Sequence, residues 1–240
     1  MARLFVSDLH LDASAPQANE QFLGFLRTHA AYAEALYILG DMFESWVGDD
    51  ESDSGKARIG AGLHELTARG VACFALHGNR DFLLGRRFCD RTGVRLLPDP
   101  VIAELDGERV LVTHGDALCT DDHSYQELRS TVRTVDWQRR FIGLPLEVRE
   151  GFANRAREGS RTHTTRTAPT IMDVNQDAVA AALRATKARR MIHGHTHRPG
   201  VHVIEVDGGP AQRIVLGAWY EQGSYLEYER GKFELKTLTR

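Results

Sequence analysis

Arg3-Leu4-Phe5-Val6-Ser7-Asp8-Leu9-His10 decides how this chain is read. A short apolar run, Arg3 to Ser7, ends at an aspartate, and a histidine follows two residues on. An extended chain points alternate side chains the same way, so Asp8 and His10 are predicted to face one cation. Taken alone, such a pair is a common accident. Four more runs repeat the arrangement: Gly40-Asp41, Gly78-Asn79-Arg80-Asp81, His114-Gly115 and Gly194-His195-Thr196-His197. Each sets hard-metal ligands beside a glycine or at the end of an apolar strand. Together the runs supply Asp8, His10, Asp41, Asn79, His114, His195 and His197, all oxygen or imidazole nitrogen donors. With no thiolate among them, the set suits two adjacent divalent cations such as Mn²⁺ better than a structural zinc. Two metals roughly 3.5–4 Å apart form a clamp for hydrolysis of a phosphoester or phosphoanhydride.

Working outward, the spacing predicts a helix over 19–35 with Phe22, Phe25 and Leu26 on one face, then a strand from Ala35 to Leu39. Ile59, Leu63 and Leu66 mark a second helix closed by Gly70, and Val71 to Leu76 a third strand. Strand–helix–strand alternation argues for α/β layering. Three hairpins follow, turning at Asp106-Gly107, at Asp207-Gly208-Gly209 and at Arg230-Gly231. A strand from Arg189 to Ile192 leads into His193-Gly194-His195. The sum is two packed mixed sheets with helices outside.

Residues 121–172 break this rhythm. They hold nine arginines and no lysine. Tyr125, Leu128, Val132 and Val135 recur at helical spacing, and Trp137, Phe141, Ile142, Leu144 and Leu146 follow, with Pro145 as an interruption. The stretch reads as an inserted helical cap over the metal site, so the domains are 1–120 plus 173–240 for the core and 121–172 for the cap. The apolar cluster amid Arg139, Arg140 and Arg149 suits an interfacial helix with arginines near anionic head groups.

At 240 residues, with 42% hydrophobic and 26% charged residues, the chain is sized for one globular domain with an insertion. A net charge of −3 gives no sign of nucleic-acid binding. Cys73, Cys89 and Cys119 are too scattered for a disulfide framework or a CxxC site, and are expected to be reduced thiols in cytosol. The start of the sequence reads straight into the strand Leu4-Phe5-Val6, so no signal peptide is expected, and no apolar run reaches the ~20 residues needed to cross a bilayer. His29, His64, His123, His163 and His202 read as ordinary surface or helix residues, whereas His77 and His193, before motif glycines, read as supports for ligands.

The order of the five runs resembles the calcineurin-like metallophosphoesterases, a two-sheet β-sandwich flanked by helices. Longer strings narrow the likeness. Gly40-Asp41-Met42-Phe43-Glu44-Ser45-Trp46-Val47-Gly48-Asp49-Asp50, Gly78 to Gly85 and His193-Gly194-His195-Thr196-His197-Arg198-Pro199 resemble the UDP-2,3-diacylglucosamine hydrolase family. Leu118 to Asp122, Ser160-Arg161 and Ile171-Met172-Asp173-Val174 extend the likeness through the cap. The resemblance implies cleavage of UDP-2,3-diacylglucosamine to UMP and the diacylglucosamine 1-phosphate in lipid A biosynthesis, through dimetal-activated attack of water on the α-phosphorus. It implies two Mn²⁺, one at Asp8, His10, Asp41 and His197, the other at Asp41, Asn79, His114 and His195. Arg80 and His195 are the catalytic residues it implies, and Asn79, Arg80, Asp122, Tyr125, Ser160, Thr164, Thr167 and His195 the substrate contacts. Position 167 departs from the family lysine, with Arg166 beside it. Arg80, standing where many distant relatives have histidine, is too basic for a general acid and suits phosphate binding. The implied location is the cytoplasmic face of the inner membrane, as a peripheral protein on its lipid surface. Two other functions fit the same motifs less fully: a soluble phosphodiesterase or dinucleoside-polyphosphate hydrolase, and a non-enzymatic scaffold. A scaffold would have lost ligands, and all seven are present.

Overall fold

A computed structural model describes residues 1–166, 171–220 and 222–238, and at 161 and 163–166 only the helical backbone. The first sheet runs in the order β11-β10-β1-β2-β3-β4, with β1 (Arg3–Val6), β2 (Ala35–Ile38), β3 (Ala72–Ala75) and β4 (Arg95–Leu96) parallel. Its other edge is the antiparallel hairpin of β10 (Ser224–Glu229) and β11 (Lys232–Thr237). The second sheet runs β5-β6-β7-β9-β8. Here β6 (Glu108–Val112), β7 (Arg190–His193) and β9 (Gly209–Val215) are parallel, and β5 (Val101–Leu105) and β8 (Gly200–Val206) pair antiparallel at the edges.

Residue alternation sorts the core into layers. Phe5 joins Leu39, Val110, Val112, Ile192, Ile214 and Leu226 between the sheets. Its neighbours Leu4 and Val6 point the other way, against α1 (Pro16–Thr28) and α2 (Ser54–Ala68), with Phe22, Leu26, Ile59 and Leu63. Leu111 and Met191 face outward against Val179 and Leu183 of α7 (Gln176–Thr186). The result is a two-sheet sandwich with helices on both outer faces, the expected α/β class.

The helix expected over 19–35 starts earlier and stops sooner. Pro16 occupies its first turn, where a missing N–H costs nothing, and it ends at Thr28 before a 3₁₀ turn at Ala30–Tyr32. The second hairpin turns on Asp207-Gly208 alone, because Gly209 already pairs with Val206. All three hairpin turns hold both central residues at positive φ, the twist that suits a two-residue loop. α3 (Arg86–Thr92), β4 and α7 were not anticipated. The three cysteines are unpaired, and burial lifts Cys73 and Cys119 to about 12.

Three helices lie between His123 and Arg166: α4 (His123–Val132), α5 (Val135–Ile142) and α6 (Leu146–Arg166). The single periodicity read from Tyr125 to Val135 is broken where Thr134 caps α5 by accepting from Trp137 N–H. Phe141 is buried, and Trp137 and Leu146 pack on the same cluster. Arg149 corrects the expectation of a head-group arginine. It is buried, donating through Nη1 to Val47 O at 2.6 Å and Asp50 at 2.8 Å, and through Nε to Leu144 O at 3.0 Å. Among the described residues, no helix is long and apolar enough to cross a membrane.

Candidate metal centre

All seven expected ligands stand past the carboxyl ends of parallel strands. Asp8 and His10 follow β1, Asp41 follows β2, Asn79 follows β3, His114 follows β6, and His195 and His197 follow β7. Loops from both sheets therefore converge on one place, where open α/β sheets commonly bind ligands.

The local backbone is not the extended one expected at Asp8 and His10. Asp8, His10, Asp41, His195 and His197 have φ of 53°, 48°, 50°, 65° and 55°. Left-handed conformation at a non-glycine residue is uncommon and costs of order 1–3 kcal/mol each, so five of seven ligands are held against a local preference. Close packing fixes them. A Cβ on Gly78 would lie 2.1 Å from Asp41 Oδ1, and one on Gly194 would lie 2.0 Å from Ser7 Oγ and 2.3 Å from Asp8 Oδ2. The motif glycines thus supply the room in which the aspartates sit.

The side chains form two groups joined by Asp41. In the first, His197 Nε2 lies 3.2 Å from Asp8 Oδ1 and 3.3 Å from His10 Nε2. His10 Nε2 is 3.9 Å from both Asp8 Oδ1 and Asp41 Oδ2. In the second, Asn79 Oδ1 is 3.0 Å from His114 Nε2 and 2.9 Å from His195 Nδ1, and His114 Nε2 is 3.8 Å from Asp41 Oδ1. One oxygen of Asp41 faces each group.

Hydrogen bonding on the far side of the rings tests whether cations fit. His114 Nδ1 sits 2.8 Å from the carbonyl of Leu39, so it carries the proton and Nε2 presents a lone pair. That lone pair faces Asn79 Oδ1, another acceptor, at 3.0 Å. His10 Nδ1 likewise contacts the Glu44 carboxylate at 2.9 Å, turning its Nε2 lone pair toward His197. Acceptors converging on acceptors are what a bound cation resolves, and the all-oxygen-and-imidazole set fits a pair of divalent ions. Burial, then nearby His114, pushes His195 down to about 3, leaving it neutral as a ligand must be. Burial also pulls His114 down, but Asp41 and Asp116 outweigh it and carry the group up to about 9, so a cation taken up at its Nε2 displaces a proton there.

Several supporting residues were not singled out from sequence. Asp81 is buried and accepts from four backbone N–H groups: Met42 at 2.7 Å, Gly78 at 2.8 Å, Asp41 at 3.3 Å and Phe43 at 3.4 Å. Asp99 accepts from Thr113 Oγ1 at 2.6 Å and His114 N–H at 3.2 Å. Buried Asp116 accepts from Tyr125 Oη at 2.6 Å and Arg129 Nε at 2.8 Å, and Arg133 donates to Gly78 O at 2.9 Å. Asp81 and Asp116 stand within two residues of the ligands Asn79 and His114, the one available signal. His193, expected as a support, is buried with Nδ1 2.9 Å from Gly194 O and Nε2 3.2 Å from Arg213. His77 holds Leu84 O at 2.8 Å.

A groove runs past the ligands, lined by His10, Asp41, His195 and His197 together with Asn79, Arg80, Asp122, Tyr125 and Ser160. Arg80 reaches Ser160 Oγ at 3.4 Å, while its backbone N–H donates to Asp41 Oδ1 at 2.8 Å. Of the remaining expected contacts, Thr164 is described only as helical backbone and Thr167 lies outside the described residues, as does the side chain of Arg166. A second cavity adjoins the groove and shares Asn79, Arg80, Tyr125 and Ser160 with it. Its walls include Trp46, Val47, Phe82, Trp137, Phe141 and Phe152.

A strand-end dimetal set on a two-sheet sandwich defines a class, and comparison agrees: the calcineurin-like phosphoesterase profile matches residues 1–199, and the chain belongs to that family. Among relatives, the chain is 46% identical over 235 residues to the UDP-2,3-diacylglucosamine hydrolase of Pectobacterium carotovorum, spanning 98% of each chain. The protein of that name from Serratia proteamaculans is 45% identical over the same share. A solved archaeal phosphodiesterase superposes with a TM-score of 0.52 at 14% identity, covering 99% of this chain and 100% of its own, a likeness of fold.

Proposed function

We propose that this chain hydrolyses the pyrophosphate bond of UDP-2,3-diacylglucosamine, giving UMP and 2,3-diacylglucosamine 1-phosphate, a step of lipid A biosynthesis. The observation that carries this reading is the aromatic cavity opening onto the metal groove. A water-soluble phosphodiester has no use for such a wall, whereas two acyl chains do. Each CH₂ transferred there is worth ~0.8 kcal/mol, so long chains would dominate binding.

Asp8, His10, Asp41 and His197 would hold one Mn²⁺, and Asp41, Asn79, His114 and His195 the other. When bound, the pair supplies Lewis-acid charge at the phosphate and lowers the pKa of the attacking water. The residues do the rest. Arg80 would grip phosphate oxygens through its guanidinium fork and stabilise their developing charge. With a cation at Nδ1, which is turned to Asn79, His195 would carry its proton on Nε2 and would donate it in a hydrogen bond to a phosphate oxygen. Asn79, Asp122, Tyr125 and Ser160 line the path of the head group, and Thr164 and Thr167 are the further contacts that the family likeness implies. Tyr125 would act through its ring, since its hydroxyl is committed to Asp116. The leaving group is a phosphate monoester and needs little protonation. In this reading 121–172 forms the cap over the core of 1–120 and 173–240. Val135, Ile142, Leu144 and Val148 are exposed on the cap near Arg139 and Arg140, and would rest on the cytoplasmic surface of the inner membrane.

Hydrolysis of the acylated substrate in ¹⁸O-water by Mn²⁺-loaded protein, with products resolved by mass spectrometry, tests the reaction. Label is expected in UMP. Label only in the sugar phosphate, or equal turnover of the deacylated UDP-sugar, would overturn the reading.

A further inference from the structure

The two halves of the ligand cluster are walled differently. On the Asn79 side, His114 is fully buried and meets His195 edge to face, ring centroids 5.1 Å apart. The Tyr125 ring lies 6.0 Å from His195 and is itself fixed through its hydroxyl to Asp116. On the other side His197 keeps 33% of its side chain exposed. Among the described residues, the rings of His10 and Tyr220 stand against it. Tyr220 stacks on His10 with centroids 4.8 Å apart and planes 14° from parallel, and meets His197 edge to face at 5.5 Å. His10 and His197 cross at 5.2 Å, so three rings form one corner around the two Nε2 atoms.

Tyr220 is 62% exposed, so burial of its own ring does not account for its place. Its neighbour does. Trp219 is buried against Phe22 and Phe25, and its backbone N–H donates to Asp8 O at 3.0 Å. The loop is therefore pinned to the same turn that carries Asp8 and His10, and the next side chain falls over the imidazoles.

We propose that Tyr220 is the positioning residue of one metal subsite: its ring holds His10 and His197 against rotation and covers the cation they share with Asp8 and Asp41. The affinity of that cation depends on the ring, and the affinity of the cation at Asn79, His114 and His195 does not. The inference rests on the dimetal reading. Contacts that orient a ligand typically account for about 10–100-fold in metal affinity.

The test uses chelator-stripped protein and Mn²⁺ alone, followed by calorimetry and by the electron paramagnetic resonance of bound Mn²⁺. The parent is expected to bind two ions. Tyr220→Ala is expected to weaken one site about tenfold or more and leave the other within about threefold. Tyr220→Phe keeps the ring and is expected to match the parent at both sites. Should the alanine variant not fold, Tyr220→Leu, which has no flat ring, carries the same expectation. Unaltered binding in the ring-less variant, equal weakening of both sites, or a phenylalanine variant as weak as the alanine one would overturn the proposal. A parent that binds fewer than two ions would overturn the dimetal reading itself.

Discussion

The ligand loops and the α4–α6 helices are secured by opposite means. The loops are held over short distances, by glycines that let backbone and carboxylate touch and by Asp81 gathering four N–H groups. The helices are held by long arginines that reach across the molecule, Arg149 to Val47 and Asp50, Arg129 to Asp116 and Arg133 to Gly78. The first construction is stiff and tolerates nothing. The second is spread over several contacts and leaves room between helix and core. The contrast suits a reaction whose chemistry needs fixed atoms and whose substrate carries flexible chains.

If the contrast is right, damage to the loops should be severe and damage to the helices graded. Asp41→Ala removes the carboxylate that faces both ligand groups. Activity is expected to fall by more than the ~10²–10³-fold typical of losing one electrostatic contact, and chelation of the parent should match it until Mn²⁺ is restored. Near-normal turnover by that variant would remove the shared-ligand assignment. Gly194→Ala comes next. Its methyl would lie 2.0 Å from Ser7 Oγ, and the shift needed to relieve that should lower kcat by ~10²-fold with loss of bound metal measured by atomic absorption. A fully loaded, active Gly194→Ala protein would show that the loops yield.

Effects on the helical side should be smaller and confined to the lipid part of the substrate. Phe141→Ala empties part of the apolar cavity wall. KM for the acylated substrate is expected to rise about tenfold, the equivalent of one buried aromatic ring, with metal content unchanged and the deacylated UDP-sugar indifferent. Parallel losses on both substrates would mean that the ring supports the metal centre instead. The smallest effect is expected from reversing Arg139 and Arg140 to glutamate. At about 1 kcal/mol per charge near an anionic surface, vesicle co-sedimentation should weaken severalfold per residue without change in kcat on a detergent-dispersed substrate. Unchanged sedimentation would leave the exposed apolar face without a lipid role.

Much of the centre was legible because each ligand sits beside its glycine or at the end of its strand, inside a window of a few residues. Extended alternation is nonetheless not what aims Asp8 and His10. Alternation along an extended chain would place both on one side, but β1 ends at Val6 and left-handed backbone does the aiming. Local pattern therefore picked out residues that the fold brings together and missed their conformation, in which Asp8 N–H donates to Gly40 O at 3.1 Å and Gly194 leaves room for the Asp8 carboxylate. Arg149 failed for the same reason on a larger scale. On α6 it looks like one more surface cation, and its contacts with Val47 and Asp50, 102 and 99 residues earlier in the chain, are what draw it inside. α7 escaped notice because small alanines separate Val179 and Leu183, leaving a thin apolar stripe. Tyr220 had no motif at all, and its meaning exists only beside two imidazoles from distant loops.

The Asp81 carboxylate has a thermodynamic consequence. Four amides from the β2 and β3 loops converge on it, and these bonds tie the two loops together without drawing on any ion. Freezing a residue's backbone costs about 1–2 kcal/mol, and here that cost belongs to folding instead of being charged against ion capture. The affinity of such a centre is then set by the donors themselves, undiminished by the disorder that a floppy loop would surrender on binding.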